Sequence, residues 1–185
     1  MKILMFLLAT ITISFSQSLI AKEDLSYEVR TAPVAMIARW GTIDLSFNID
    51  DHWAFGPSVI VYAAPKIGNM FAPAYNGYAV GGHAYGYLNS FATDGWYWGN
   101  HLYYENFESY PHNFLGHYEL KGFKFNTVAG YQIILNYSLN LLFGAGLETR
   151  SYDQKNIDES NGNTPKFKDQ SYTSLYVEAK FGYKF

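Results

Sequence analysis

The chain has no cysteine. An exported soluble domain often relies on disulfides, and this one must find its stability elsewhere. Charge is also scarce: Asp, Glu, Lys and Arg make up 16% of the residues, against about 25% in ordinary soluble domains. The net charge is −3 and the 13 basic residues are scattered. A nucleic-acid partner would demand a clustered basic face, so that class is excluded. After residue 21 no run of apolar residues is long enough for a transmembrane helix. What is abundant is aromatic. Phe, Trp and Tyr reach 19%, with 17 Tyr and 14 Phe. Rings of this kind suit the headgroup level of a bilayer better than the surface of a soluble domain. A length of 185 residues fits one domain.

The first residues have the order of a secretory signal peptide. Lys2 is followed by an apolar run from Ile3 to Ile13, then by Ser14 to Ser18 and the small Ala21. The run is short for a bilayer-spanning helix, which needs about 20 residues. Cleavage is expected after Ala21, with Ser18 as the alternative. Residues 1–21 are then the signal peptide and residues 22–185 the mature domain.

The mature chain alternates with period two. Near its end, Leu175, Val177, Ala179, Phe181, Tyr183 and Phe185 fall on one face, and Ser174, Tyr176, Glu178, Lys180, Gly182 and Lys184 on the other. Ile43, Leu45, Phe47 and Ile49 oppose Thr42, Asp44, Ser46 and Asn48. The same sorting holds around Trp53–Val61, Phe123–Ile133 and Leu139–Arg150. The apolar faces carry no charge. Strands are expected near 24–38, 42–50, 52–64, 76–88, 95–107, 119–134, 138–152 and 171–185. Short turns at Asp50–His52, Asn89–Asp94 and Leu135–Ser138 alternate with long polar loops at Pro65–Tyr75, Glu108–Tyr118 and Asp153–Gln170. The first hairpin is the exception. Its connection at Arg39–Gly41 is tight and Pro33 implies a bulge. Residues 24–49 could also form one strand, giving seven in all, but single-chain bacterial barrels have even strand numbers. The prediction is all-β: a transmembrane antiparallel up-and-down β-barrel of eight strands, lipid outside and polar lumen inside, with the last strand paired to the first.

With the leader, the eight strands and the terminal Tyr183-Lys184-Phe185, the mature chain resembles small outer-membrane barrels of the OmpX/Ail-like, OmpA-transmembrane-domain and opacity-type porin class. The resemblance implies a bacterial outer-membrane location, with lipid and lipopolysaccharide as surroundings. It also implies that Phe181, Tyr183 and Phe185 form the signal read by the barrel-assembly machinery.

The interior face holds the candidate site. Glu28 and Arg30, Asp44, and Glu178 and Lys180 come to similar heights on strands that become neighbours on closure. Arg30, Asp44, Glu178 and Lys180 are expected to form an ion-pair cluster, with Lys124, Glu148 and Arg150 as a second group higher up. An eight-stranded barrel is only wide enough for its side chains, so these charges are expected to plug the lumen; a gated ion path or narrow porin is the alternative. Trp53, Trp96 and Trp98, with Tyr97, are assigned to an aromatic girdle beside the short turns. Tyr103 and Tyr104, with Phe107 and Tyr110, are assigned to the outer girdle.

A lipid A-modifying enzyme, deacylase or acyltransferase, is a competing function. It would need a serine, a histidine and a carboxylate in mutual reach. Of His83, His101, His112 and His117, none has a serine beside it in the His-x-Ser pairing of the deacylases. His101 has Glu105 along its face, and Ser109 and His112 share a loop with Glu108. No catalytic residue is therefore assigned. His83 and His101 face inward on paired strands, where hydrogen bonds to Tyr85, Tyr87, Tyr97 and Tyr103 account for them better than a metal. No cofactor or metal is expected. A soluble lipocalin-like binder would reverse the two faces. The expected role is structural or surface-interacting, with an unidentified surface ligand.

Overall fold

A computed structural model describes residues 26–32, 40–64, 74–110, 116–158 and 167–185. Within them the chain is all-β, with eight antiparallel strands and no helix. The strands are β1 (Ser26–Thr31), β2 (Trp40–Asn48), β3 (Trp53–Ala64), β4 (Ala74–Tyr87), β5 (Gly95–Tyr110), β6 (Gly116–Ile134), β7 (Leu139–Asp158) and β8 (Phe167–Lys184). Each pairs with its neighbours in sequence, and β8 returns to β1, so the sheet closes into a ring. At the seam Glu28 lies opposite Lys184 and Thr31 opposite Phe181. The first hairpin is two strands, with Tyr27 opposite Phe47 and Arg30 opposite Asp44. The expected bulge at Pro33 and the leader fall outside the described residues.

The period-two pattern sets which face turns in. Along β5, Tyr97, His101, Tyr103, Glu105 and Phe107 are buried while Trp96, Trp98, Leu102 and Tyr104 are exposed. Through the middle of the strands the charged residues turn inward among tyrosines and small residues, and most of the aliphatic residues face out. The inner face of so narrow a ring has room for large rings only where the opposing residue lacks a side chain. A Cβ at Gly99 would lie 2.7 Å from the Tyr85 ring, and one at Gly144 would lie 2.7 Å from the Tyr97 hydroxyl. These glycines thus leave the space that the two buried tyrosines fill.

The turns at one end are held by side-chain caps. Asp50 accepts the backbone N–H groups of His52 and Trp53 at 2.8 and 2.9 Å. Asn136 accepts those of Ser138 and Leu139, both at 2.9 Å. Phe91, in the turn between β4 and β5, folds under the ring. Its carbonyl accepts from Gln132 at 2.8 Å, and its ring lies 4.7 Å from the Lys184 ammonium.

At the other end the strands outrun the sequence expectation. β5 continues to Tyr110, β6 begins at Gly116, β7 reaches Asp158 and β8 starts at Phe167. Much of the polar sequence assigned to loops at Glu108–Tyr118 and Asp153–Gln170 is strand. The reason is physical. Alternation is visible only where one face is apolar, and here the outward residues, such as Ser151, Asp153, Ser171 and Asp169, are exposed and polar.

Replacing Gly99 with Val is expected to displace Tyr85 and cost about 1–3 kcal/mol, the usual range for overpacking. Ala145→Val on the outer face should change stability by no more than about 0.5 kcal/mol. Urea unfolding of the detergent-solubilised protein measures both. Equal stability of the two variants would contradict the packing described.

Candidate functional site

The interior polar side chains fall into three tiers. At the end where β8 finishes, Glu28 and Arg30 share one face of β1, two residues apart. Arg30 donates from Nε and Nη2 to the two carboxylate oxygens of Glu28, each at 2.8 Å. Asn140 on β7 adds a bond to Glu28 at 2.7 Å, and Arg30 also donates to the Tyr87 hydroxyl. The guanidinium lies 4.4 Å from the centre of the Tyr85 ring. Gly182 makes this possible, since a Cβ there would stand 2.0 Å from Glu28 and 2.2 Å from Asn140.

The middle tier is centred on Lys180. Its ammonium is 2.6 Å from Asp44 and 2.8 Å from Glu178, and it donates to the Tyr85 hydroxyl at 2.8 Å. Glu178 is further held by His101 at 3.1 Å and by the hydroxyls of Tyr97, Tyr85 and Tyr176 at 3.0, 3.2 and 3.3 Å. Asp44 accepts from Ser58, whose oxygen is 3.1 Å from the Tyr103 hydroxyl.

The upper tier is built on Glu105. Tyr62 and Tyr152 both donate to it, and Lys124 lies 3.1 Å away. Arg150 binds Glu148 through Nε, donates to Tyr152 at 3.0 Å, and stands 3.9 Å from Glu105. Lys124 is 4.0 Å from Glu148.

The structure thus brings Asp44, Glu178 and Lys180 together, and Lys124, Glu148 and Arg150 together. It sets Arg30 apart, with Glu28 as its carboxylate. Glu28 and Glu105 are the members that sequence reasoning left out of the clusters, and both lie on the inward face by simple parity. Charges match within each region: Arg30, Lys180 and Lys184 against Glu28, Asp44 and Glu178, then Lys124 and Arg150 against Glu105 and Glu148. Glu28, Arg30, Asp44 and Tyr85 are each 0% exposed, so no water-sized passage runs beside them.

Three of the aromatic assignments, Tyr97, Tyr103 and Phe107, need correction. Trp53, Trp96, Trp98 and Tyr104 face outward, and Trp53 meets Trp98 edge-on at 5.0 Å over Gly86. Tyr103, placed with the outer girdle from sequence, is buried at 2% exposure and stacks on His101. Phe107 and Tyr97 are likewise interior. Parity along β5 requires it, because Tyr103 and Tyr104 are consecutive and cannot share a face. Phe181, Tyr183 and Phe185 end β8 on its outward side, with the Phe185 N–H bonded to the Tyr27 carbonyl at 2.9 Å.

His83 and His101 lie opposite each other in register, with ring centres 6.1 Å apart. His101 approaches Glu178, Tyr85 and Tyr103; His83 Nε2 is 2.8 Å from the Ser46 hydroxyl. Sequence reasoning missed this serine–histidine pair, because it spans β2 to β4 across β3. Gly56 opposite His83 was the available signal. The pair lacks a triad's third member: His83 Nδ1 has no hydrogen-bond partner among the described residues, and Ser46 is fully buried. His112 lies outside the described residues. No group of three or more potential metal ligands occurs among the described residues.

Lys180→Met leaves Asp44 and Glu178 without their shared cation. Breaking a buried pair in this way costs about 3–5 kcal/mol, while Lys121→Met on the exposed outer face should stay within about 0.5 kcal/mol. Urea titration distinguishes them. If both midpoints coincide, the interior network contributes nothing to stability.

No protein-family model matches the chain, and no curated protein or solved structure shows significant similarity to it.

Proposed function

We propose that this chain is an integral bacterial outer-membrane β-barrel with a structural or surface-interaction role, exported through a signal peptide in residues 1–21, with its interior filled rather than conducting. The observation that carries the proposal is the outward face. On β3 it runs Trp53, Phe55, Pro57, Val59, Val61 and Ala63; on β8 it runs Leu175 to Phe185. Every strand contributes to this belt and no charge interrupts it. The uncharged polar exceptions on the longer strands are Asn100 and Thr127, which are neighbours in register.

The height of the belt is informative. It ends sharply, at Tyr78 before Asn76, Tyr104 before Asn106, Phe123 before Lys121, Leu147 before Thr149 and Leu175 before Thr173. Between β5 and β6 and between β7 and β8 the limits meet in register: Tyr104 lies opposite Phe123, and Leu147 opposite Leu175 with Thr149 opposite Thr173. The enclosed length is the roughly 9–11 residues that a tilted strand needs to cross hydrocarbon. Leu175 is 86% exposed and Val177 76%. A monomer in water keeps its largest apolar patch to about 300–600 Å², whereas this belt encircles the molecule. Aromatic pairs mark both borders: Trp53–Trp98 and Trp96–Tyr131 below, Tyr104–Phe123 above.

Closure of the ring removes sheet edges, as a hydrocarbon environment requires. The charge-matched tiers and the inward Phe91 support a plugged interior. The enclosed Ser46–His83 pair gives no support to the lipid A enzyme.

The test is positional. Ala179→Arg, at the middle of the belt opposite Phe143, is expected to destabilise the protein folded into phospholipid vesicles by about 2–4 kcal/mol, and Ser171→Arg by about 0–1 kcal/mol. Planar-bilayer recordings should show no stable porin-sized channel. Solubility of the mature chain without detergent, with Ala179→Arg harmless, would overturn the membrane assignment.

A further inference from the structure

Two outward side chains stand apart from the apolar belt. Asn100 on β5 and Thr127 on β6 lie directly opposite each other in register. Both sit at the centre of their strand's span across the belt. Asn100 is four residues from Trp96 and four from Tyr104, and Thr127 is four from Phe123 and four from Tyr131. Four residues of strand cover about 13 Å. Neither side chain is long enough to carry its polar group past the borders, as a lysine or arginine does. Neither makes a side-chain hydrogen bond to another described residue.

The surface around them is low. Ala84 lies beside Asn100 on β4, and Ala129 and Ala145 are paired on β6 and β7. Larger exposed side chains rim this patch: Trp98, Leu102, Phe125 and Leu147. An amide and a hydroxyl in hydrocarbon need a partner, because acyl chains offer none. Between transmembrane segments such groups hydrogen-bond across the contact, and small residues let the two backbones approach.

The chemistry selects the occupant. A carboxamide donates and accepts, and so does a hydroxyl, so the pair is complementary to itself. Copies inserted in the same sense associate about a two-fold axis along the membrane normal, which sets each residue against residues at its own depth. An axis through β5 and β6 brings Asn100 and Thr127 of one copy onto those of the other. No second protein with its own polar group at that depth is needed.

We infer that this patch is the interface of a homodimer within the membrane, closed by hydrogen bonds between the Asn100 and Thr127 side chains of the two copies. The inference rests on the membrane placement proposed above, and the experiment separates the two.

The chain has no cysteine, so Ser171→Cys, exposed on β8 beyond the belt, takes a single donor or acceptor dye. The labelled mature protein is folded into phosphatidylcholine vesicles at a series of protein-to-lipid ratios, and energy transfer is measured. Transfer should be linear in the acceptor fraction, as for a pair, and should fall on dilution with lipid. Asn100→Leu combined with Thr127→Val should lower the association constant by about tenfold, and Ala129→Phe should do at least as much by holding the backbones apart. Ile43→Phe, outward on β2, should leave it unchanged. All these variants put apolar side chains into hydrocarbon, and circular dichroism checks the β-sheet content of each. Transfer no greater than that of randomly placed monomers overturns the inference. So does association that ignores both changes in the patch, or that follows an order higher than two. A chain that fails to float with the vesicles overturns the membrane placement and the dimer together; one that floats as a monomer overturns the dimer alone.

Discussion

Closure between β1 and β8 is the constraint on which the rest of this structure depends. β1 is only six residues long, yet it supplies the partner for the end of β8 and for β2. Without it, two strands would present unpaired N–H and C=O groups, which the hydrocarbon surroundings proposed above would not tolerate. The seam is locked by side chains as well as by the ladder. Glu28 and Arg30 project from β1 into the interior, and Asn140 reaches them from β7 over the bare backbone of Gly182. Slipping β8 by one residue would turn Glu178 and Lys180 toward the belt and Val177 and Ala179 toward the charges. The buried ions therefore act on register: only one alignment gives Asp44 and Glu178 the same ammonium.

The abundance of tyrosine has a related origin. An interior that holds carboxylates needs hydrogen-bond donors, and it also needs volume to exclude water. Tyrosine supplies both. Glu178 and Glu105 are each surrounded by phenol hydroxyls in addition to a lysine. Phenylalanine fills space without donating, and most of the described Phe residues face outward: Phe47, Phe55, Phe123, Phe125, Phe143, Phe181 and Phe185. The aromatic excess thus divides into two populations with different work, an outward one suited to lipid and an inward one that solvates buried carboxylates.

This division marks where the sequence was legible. Parity placed the belt and the interior correctly on β2, β3, β6, β7 and β8, because aliphatic rows against Asp, Ser, Gly and Lys leave only one assignment. It faltered on β5, where aromatic residues occupy both faces and Tyr103 and Tyr104 carry no contrast. It was silent beyond the belt, since Thr149 to Lys155 alternate between polar and polar. Leu142 and Val128, apolar but buried inside, also run against the binary pattern. Pairings that cross an intervening strand, such as Ser46 with His83, depend on register and on Gly56 rather than on any local motif. The contacts of the Phe107 ring with Tyr62, Tyr75 and Tyr152, and of Tyr152 with Tyr172, belong to the same category, drawn from β3, β4, β5, β7 and β8.

The distribution of chemistry along the axis constrains the role. From Phe91 up to Glu105 the described interior is committed to itself: Arg30, Lys180, Lys124 and Arg150 are answered by carboxylates and Lys184 by the Phe91 carbonyl, and the large rings occupy the remaining space. Side chains held in this way cannot change partners to pass an ion without exposing a buried charge, which is costly at so small a bore. The belt in turn is uniform on the longer strands apart from Asn100 and Thr127. Among the described residues, polar groups line open space above Glu105, on strands whose outer surface has already turned hydrophilic. Under the membrane placement proposed above, the belt would do the anchoring, and a surface-interaction role would fall to the residues beyond it, where the strands run on.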